Sequence, residues 1–549
     1  MTELLTAAQM RAIEAAAIAS GEVTGLDLME RAGRGVVEAV FEEWPELRAG
    51  SFRAVVLCGP GGNGGDGFVV ARLLKEWGWE VEVFLYGTPE GMPPDARVNY
   101  ERWVAMGEVG ATMPHGDFDI IVDALFGIGL TRPIANDLVL AVDGLINSNL
   151  LSDPNSKTKI VAVDILSGLC ADSGQTIKAL AQYFAHLTVT FHRAKLGHIL
   201  GEGSDRSWSL RCVDIGLGDT DGGVRLTKIK GKRLEKRAKH KFGYGHALIL
   251  SGPPGHGGAA RLSARGALRI GAGLVTVACP PDAMPEHAAR LDAVMLRVVA
   301  DGAGLAEVLG DKRINALCLG PGLGLDARAV GLVAAALGVD RSSPSHPSAD
   351  GKERHPDDIG RAGGDAGTAP LSASERGRGR GGHALVLDAD ALTILSQNAD
   401  LFAALHPACI LTPHAGEFAR LFPDIAAKLN APATTGPAYS KVDATREAAA
   451  RAGCVVLFKG PDTVIADPSG RCSINSAHYD RAAPWLATAG SGDVLAGFIA
   501  GLLARGFAPM QAAETAAWLH VECARSFGPG LIAEDLPEEL PKVLRSLGI

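Results

Sequence analysis

Short, nearly continuous apolar runs recur along this chain, most of them bounded by Gly, Pro or Asp and followed by a longer helical stretch. The first series comprises AVVLC (54–58), VEVFLY (81–86), DIIVDALFG (119–127), KIVAVDIL (159–166) and LTVTF (187–191). A strand that is apolar on both faces must be covered on both faces, which is the condition of a parallel sheet with helical crossovers. FVVARLLKEWG (68–78) reads as one such crossover helix, ending at Gly78. From about residue 242 the pattern restarts with HALILSG (246–252), GLVTVACP (273–280), INALCLGPG (314–322), ALVLDAD (384–390), ACILTPH (408–414) and CVVLFKG (454–460). TVIADPSGRCSIN (463–475) interrupts the alternation as two short strands around an Asp-Pro-Ser-Gly turn, and a long apolar helix, 491–506, follows a Gly-rich turn. The pattern predicts an α/β chain of two domains, 1–220 and 241–549, joined through 221–240.

The joint carries KIKGKRLEKRAKHK (228–241), eight Lys or Arg against Glu235. It is either a solvated linker or a basic rim that draws phosphorylated ligands toward the second domain. Residues 339–382 are rich in Ser, Gly, Pro, Asp and Arg and nearly devoid of apolar side chains, so they predict a disordered insertion.

The net charge of −9 argues against a nucleic-acid partner. No apolar run is long enough to span a bilayer. Glu3, Arg11 and Glu14 interrupt the stretch where a signal peptide needs an uncharged segment. The nine cysteines are scattered singly, with no CxxC pair, which predicts neither a zinc site nor a disulfide framework. A cytoplasmic protein is expected.

The first chemical constellation is AVVLCGPGGNGGDGF (54–68): strand, Gly-rich turn, helix. Such a turn lets backbone approach an anion at a helix N-terminus. Gly59, Gly61 and Gly64 satisfy a GxGxxG spacing, but the next strand does not end in the acid that a dinucleotide fold requires. Asn63 and Asp66 sit inside the turn, and Asp123, Asp164 and Ser167 sit at two further strand ends. Ligands of an open parallel sheet collect at the carboxyl ends of strands. Oxygen donors gathered there suit an alkali cation or general acid–base chemistry.

TAAQMRAIE…LMERAG (6–33), GPGGNGGDG (59–67), VDALFGIGL (122–130), VDILSGLCADSG (163–174) and TFHRAKLG (190–197) together resemble the NAD(P)HX epimerase family over roughly 6–215. The resemblance implies a Rossmann-like domain that binds hydrated NADH or NADPH. It implies that Gly62, Asn63, Gly64, Gly65 and Asp66 line the ligand, as do Gly127, Ile128, Gly129, Leu130, Thr131, Arg132 and Pro133. Asp164 would touch the ligand as the acid–base residue, and Asn63, Asp123 and Ser167 would hold potassium. The chain departs from the family at Gly62, where an Asn is usual, at Leu166 (Pro) and at Cys170 (Asp).

The second constellation is PWLATAGSGDVLAGFIAGLL (484–503). Ala489-Gly490-Ser491-Gly492 forms an N–H-lined turn at a helix start, with Asp493 placed to take a proton from a hydroxyl. This resembles the anion hole and base of ribokinase-like α/β kinases. HKFGYGHALIL (240–250), GPGLG (320–324), LDADAL (387–392) with Asp388 and Asp390, LTPHAGE (411–417) with His414 and Glu417, and KGPDTVIADPSG (459–470) narrow it. Together they resemble the ADP/ATP-dependent NAD(P)HX dehydratases over about 240–545. That resemblance implies substrate contacts at Ala259, Gly322, Gly324, His414 and Asp493. It implies nucleotide contacts at Lys459, Gly460, Pro461, Asp462, Thr463 and Gly492, with Asp493 catalytic.

The expected protein is a bifunctional repair enzyme for hydrated NADH and NADPH (NADHX and NADPHX). Potassium serves the first domain, ADP or ATP with Mg2+ the second, and a homo-oligomer is expected. A vitamin or sugar kinase with a regulatory N-terminal domain is the alternative, and a non-catalytic scaffold the third reading.

Overall fold

The computed structural model describes residues 3–150, 157–177, 183–218, 223–229, 231–237, 240–339 and 383–549. Residues 340–382, where the insertion is expected, lie outside the described residues. The chain forms two compact units. One is Met1–Ile229 with Phe422–Ala448 and Phe458–Pro484; the other is Lys230–Leu421 with Ala449–Leu457 and Trp485–Ile549.

The first unit is built on a seven-stranded sheet in the order Val109–Gly110, Glu80–Leu85, Arg53–Cys58, Ile120–Ala124, Lys159–Val163, Ala185–Phe191, Ser207–Val213. Every pairing in it is parallel. The central strand shows why its sequence is apolar throughout. Ala54, Val56 and Cys58 join one core cluster, with Val36, Val37 and Val40 of the helix Gly25–Glu43. Val55 and Leu57 join another, with Leu138, Val142 and Ile146 of the helix Asn136–Leu150. Successive side chains of a strand point to opposite faces, so both faces must be greasy. The chain order reverses between Arg53–Cys58 and Ile120–Ala124, a topological switch point with a crevice at the carboxyl ends of its strands.

The crossover helix runs over Gly62–Glu76, beginning six residues before the expected 68, so Gly62–Asp66 are helix rather than turn. The edge strand Ser207–Val213 was not expected. Its Trp208 and Arg211 are exposed, so it lacks the continuous apolar signature of a buried strand. The same unit holds the hairpin Asp462–Ala466 and Cys472–Ser476, antiparallel as the Asp-Pro-Ser-Gly turn predicts. Within the expected joint, Val224–Leu226 is a strand, parallel to Cys472–Ser476 and antiparallel to Glu3–Leu4.

The second unit repeats the plan in the order Met295–Val298, Leu274–Cys279, His246–Leu250, Ile314–Leu319, Ala384–Leu387, Cys409–Leu411, Val455–Phe458, again parallel. Met295–Val298 is the strand not expected from sequence. The helix Ser491–Ala504 packs backbone to backbone on Gly257–Arg269. A Cβ on Gly497 would stand 2.1 Å from the Ser263 carbonyl oxygen, so the approach requires glycine. All nine cysteines are free. Among the described residues no helix is long and apolar enough to cross a membrane.

Candidate active sites

A cavity of about 640 Å³ opens at the switch point of the first unit. Its wall includes Gly62, Asn63 and Asp66 from the first turns of Gly62–Glu76, the run Gly127–Arg132, Asp164 and Lys195, and Arg11 and Glu14 from the helix Ala7–Ser20. Of the residues expected at this ligand, Gly64 and Gly65 lie behind the wall, buried, and Pro133 is exposed outside it. Gly64 permits close backbone contact, since a Cβ there would stand 1.9 Å from the Gly59 carbonyl oxygen. A Cβ on Gly127 would stand 2.9 Å from Asp164 Oδ2 and 3.0 Å from Asn63 Oδ1, which brings these two side chains to one spot of the wall.

Asp164 follows the strand Lys159–Val163 and takes a left-handed backbone, φ 65°, which is uncommon for a side chain other than Gly, Asn or Asp. The conformation is held from all sides. Its N–H donates to the Val189 carbonyl at 2.7 Å, and its own carbonyl contacts His198 Nε2 at 2.8 Å. Oδ1 accepts from Lys195 Nζ at 2.9 Å and from Thr190 Oγ1 at 3.0 Å; Oδ2 accepts from the Ile128 N–H at 3.1 Å. Burial pushes the Asp164 carboxyl up, but Lys195, His198 and these hydrogen bonds outweigh it and hold it below the usual range. Asp66 goes the other way: burial, then the charges of Asp164 and Glu14, push it well above. Glu14 is raised by burial and by Asp164. One cavity thus holds a carboxylate kept ionised and two carboxyls biased toward their protonated form, the pairing that general acid–base work requires.

Deeper at the same strand ends, Ser167 and Asp123 meet directly. The Ser167 hydroxyl donates to Asp123 Oδ1 at 2.6 Å and its N–H to Oδ2 at 2.9 Å, while the Tyr183 hydroxyl and the Leu125 N–H complete the carboxylate's partners. Asn63 Nδ2 is buried with no hydrogen-bond partner. Turning that amide over puts its oxygen at the unsatisfied position, where a cation would be a partner. Among the described residues no cluster of three His, Cys, Asp or Glu side chains is placed to hold a metal ion. Of the three residues expected to hold a cation, Ser167 and Asp123 meet, while Asn63 stands beside Asp164; an amide, a hydroxyl and one carboxylate are donors of the kind that suit a monovalent ion.

In the second unit, Gly490 at φ 86° caps the helix Ser491–Ala504, and Gly492 and Asp493 stand half-buried in its first turn. The Ser263 hydroxyl donates to the Asp493 carbonyl at 2.8 Å, and His520 Nε2 contacts the Ser491 carbonyl at 2.8 Å, fixing the turn from two neighbouring helices. Asp388, at the end of Ala384–Leu387, is buried, and its charge and that of Asp493 both act on the Cys318 thiol. Between Asp388 and Asp390, Ala389 has φ 46°. Gly322 and Ala259 adjoin, a Cβ on the first standing 3.5 Å from that of the second. The Gly324 N–H donates to Asp390 Oδ2 at 2.9 Å. His414 is exposed and pairs with buried Glu417 at 3.5 Å.

The run Lys459–Thr463 belongs to the first unit and is tied internally. Thr463 Oγ1 donates to the Gly460 carbonyl at 2.7 Å, and the Ala477 N–H to the Pro461 carbonyl at 2.7 Å. Asp462 is ion-paired with Lys441 at 2.6 Å and accepts from the Gly201 N–H at 3.2 Å; the Lys459 carbonyl accepts from Lys441. Sequence reasoning gave no role to Lys195, Thr190, Glu14 or Tyr183. Lys195 stands inside the TFHRAKLG motif, which marks its neighbourhood but not its partner.

Residues 25–197 match the family described as YjeF-related protein N-terminus, and 247–343 with 372–544 match the family described as NAD(P)H-hydrate dehydratase. A bifunctional NAD(P)H-hydrate repair enzyme of Moorella thermoacetica is 33% identical over 99% of this chain and 97% of its own length. One from Thermofilum pendens is 30% identical over 95% and 92%. An NAD(P)H-hydrate epimerase of Rhodobacter capsulatus is 47% identical over 36% of this chain and 92% of its own. Among solved structures, an ADP/ATP-dependent NAD(P)H-hydrate dehydratase of Bacillus subtilis, co-crystallized with ATP and Mg2+, aligns at 24% identity and a TM-score of 0.42, over 58% of this chain and 98% of that one.

Proposed function

The chain belongs to the family of bifunctional NAD(P)H-hydrate repair enzymes, and we propose that it restores hydrated NADH and NADPH through two separate reactions. The observation that carries the first is Asp164, a carboxylate held ionised by Lys195 at the wall of the cavity, opposite carboxyls that favour the proton. The substrate carries water across the C5–C6 bond of the nicotinamide ring, with C6 bonded to both a hydroxyl and the ring nitrogen. Asp66 gives its proton to the leaving hydroxyl; the C–O bond breaks, and the nitrogen lone pair forms a C6–N double bond. Water then adds from the opposite face and its proton passes to Asp164. The two carboxyls return to their starting states by exchange with solvent. Asn63, Asp123 and Ser167 would hold potassium, which supplies a fixed positive charge that positions the loop.

In the second reaction Asp493 takes the proton of the C6 hydroxyl. The resulting oxygen attacks the terminal phosphorus of ADP or ATP, carried with Mg2+, and the bond to the bridging oxygen breaks to release AMP or ADP; the Gly490 and Gly492 N–H groups would face the developing charge, that of Ser491 being spent on the Thr488 carbonyl. The ring nitrogen lone pair expels phosphate from C6, and the C5 proton passes to the departing phosphate, which restores the C5–C6 double bond. Hydroxide is a poor leaving group and phosphate a good one, which accounts for kinase machinery in a lyase. The test incubates the full chain with both epimers of hydrated NADH and follows the absorbance of restored NADH. Full conversion with ADP or ATP, and epimer exchange without either, are expected. A stable phosphorylated product, or conversion of one epimer alone, would overturn the reading.

A further inference from the structure

We propose that Lys195 is the positioning residue of the first site, fixing the Asp164 carboxylate so that Oδ2 faces the ligand as the proton acceptor. The proposal rests on the epimerase reading and names a residue that this reading leaves without a role in catalysis. Lys195 is 1% exposed although its side chain borders the cavity. Nζ donates to Asp164 Oδ1 at 2.9 Å, to Thr190 Oγ1 at 2.7 Å and to the Phe191 carbonyl at 3.2 Å. An ammonium has three protons, and these three partners use them all, leaving none for a ligand. Lys195 therefore acts through Asp164 and not on the substrate.

The two oxygens of Asp164 are unequal. Oδ1 accepts from both Lys195 and Thr190, whereas among the described residues Oδ2 accepts only the Ile128 N–H and lies where a Cβ on Gly127 would stand 2.9 Å away. Oδ2 is the one with lone-pair capacity left on the cavity side. The groups facing this carboxylate are Lys195 and His198 from the turn after Ala185–Phe191, Asp66 from Gly62–Glu76 and Glu14 from Ala7–Ser20. Of these, Lys195 is the first cause that lowers the Asp164 carboxyl and His198 a lesser one, its own pKa lowered to about 4 by burial and by Lys195. Its place is fixed on both sides by backbone: the Leu5 N–H donates to the Ala194 carbonyl at 3.0 Å, and the Leu196 N–H to the Leu5 carbonyl at 3.1 Å.

The test is a double-mutant cycle in the full chain, with Lys195→Met, Asp164→Asn and the pair, followed as epimer exchange of hydrated NADH without nucleotide. Lys195→Met is expected to lower kcat on the order of 10²-fold with KM nearly unchanged, and Lys195→Arg to recover part of it. In the Asp164→Asn background the same substitution should cost nothing more. A further equal loss there, or a loss confined to KM, would place Lys195 on the substrate and overturn the proposal. Far-UV circular dichroism matching wild type shows that the variants fold. Denaturant unfolding of wild type, the two single variants and the double variant reads the pair without any substrate. Lys195→Met should lower the midpoint more in wild type than in the Asp164→Asn background, and equal drops would overturn the pairing. A wild-type chain that exchanges no epimers would sink the epimerase reading and the positioning role together, while the unfolding cycle would still report the ion pair.

Discussion

Ser167 holds Asp123 with two donors at once, its hydroxyl 2.6 Å from one carboxylate oxygen and its N–H 2.9 Å from the other. The same hydroxyl accepts the Phe126 N–H at 2.9 Å, so it also anchors the start of the loop that lines the cavity. Ser167→Ala leaves the buried Asp123 carboxylate and the part-buried Phe126 N–H each short of a partner, at a cost of about 1–3 kcal/mol. Asp123→Ala removes the one carboxylate of the proposed cation set. Both variants should slow epimerisation and leave dehydration of the S epimer unchanged. A titration of the epimerase rate with potassium against a bulky organic cation checks this; equal rates in both salts, with the Asp123 variant unaffected, would reduce Asp123 to a strand-end anchor.

Two glycines of the cavity wall should respond differently to a side chain. A Cβ at Gly127 meets Asp164 Oδ2 at 2.9 Å and Asn63 Oδ1 at 3.0 Å, so Gly127→Ala must displace both. A loss on the order of 10²-fold in epimerase kcat/KM is expected, since small misplacements of reacting groups cost that much. A Cβ at Gly62 meets nothing nearer than Met29 Cε at 3.8 Å. Gly62→Asn, which restores the residue usual in the family, should therefore fold as well as wild type. Melting curves and epimerase kinetics of the two variants decide the matter.

In the proposed second reaction Asp493 is the base. Asp493→Asn keeps the size of the side chain and removes the base, which is expected to cost on the order of 10²–10⁴-fold in dehydration rate. Epimer exchange should persist, because Asp164 and its neighbours belong to the other unit. Retained nucleotide-dependent formation of NADH would remove Asp493 from the mechanism.

Much of this was legible in the chain because local signals and tertiary fate coincide. Residues 54–58 are apolar at every position since both faces of the central strand are covered, and the strand Arg53–Cys58 follows. Ser207–Val213 was not legible, because an edge strand can carry Trp208 and Arg211 outward and so loses the pattern. The start of the crossover helix was hidden by Gly62, Gly64 and Gly65, residues that disfavour helix; the last two are needed for close packing, since a Cβ on Gly64 would stand 1.9 Å from the Gly59 carbonyl oxygen and one on Gly65 2.8 Å from Met29 Sδ. Asp123, Asp164 and Ser167 announced themselves as polar residues at the ends of apolar strands. Lys195 did not, since its partner lies 31 residues away and only the parallel pairing of Lys159–Val163 with Ala185–Phe191 brings the two together.

His198 gives the first site a stability that depends on pH. The Lys195 N–H donates to Nδ1 at 2.9 Å, so the neutral ring carries its proton on Nε2, which donates to the Asp164 carbonyl at 2.8 Å. Burial, then the charge of Lys195, lowers its pKa from 6.5 to about 4. The unfolded chain therefore binds the proton that the folded chain refuses. Stability rises with pH wherever the unfolded state holds more protons, so the contribution of His198 is complete above pH 6.5 and is lost as pH falls toward 4. A lowering of that size corresponds to on the order of 3 kcal/mol. Asp66 and Glu14, whose carboxyls are raised, act in the opposite sense over part of that window, so the comparison must subtract them. Denaturant unfolding of wild type and His198→Gln at pH 7 and pH 4.5 does so. The variant should be the less stable at pH 7, having lost two hydrogen bonds, and the gap should narrow at pH 4.5. A gap of constant size would mean that His198 takes up its proton alike in the folded and unfolded chains.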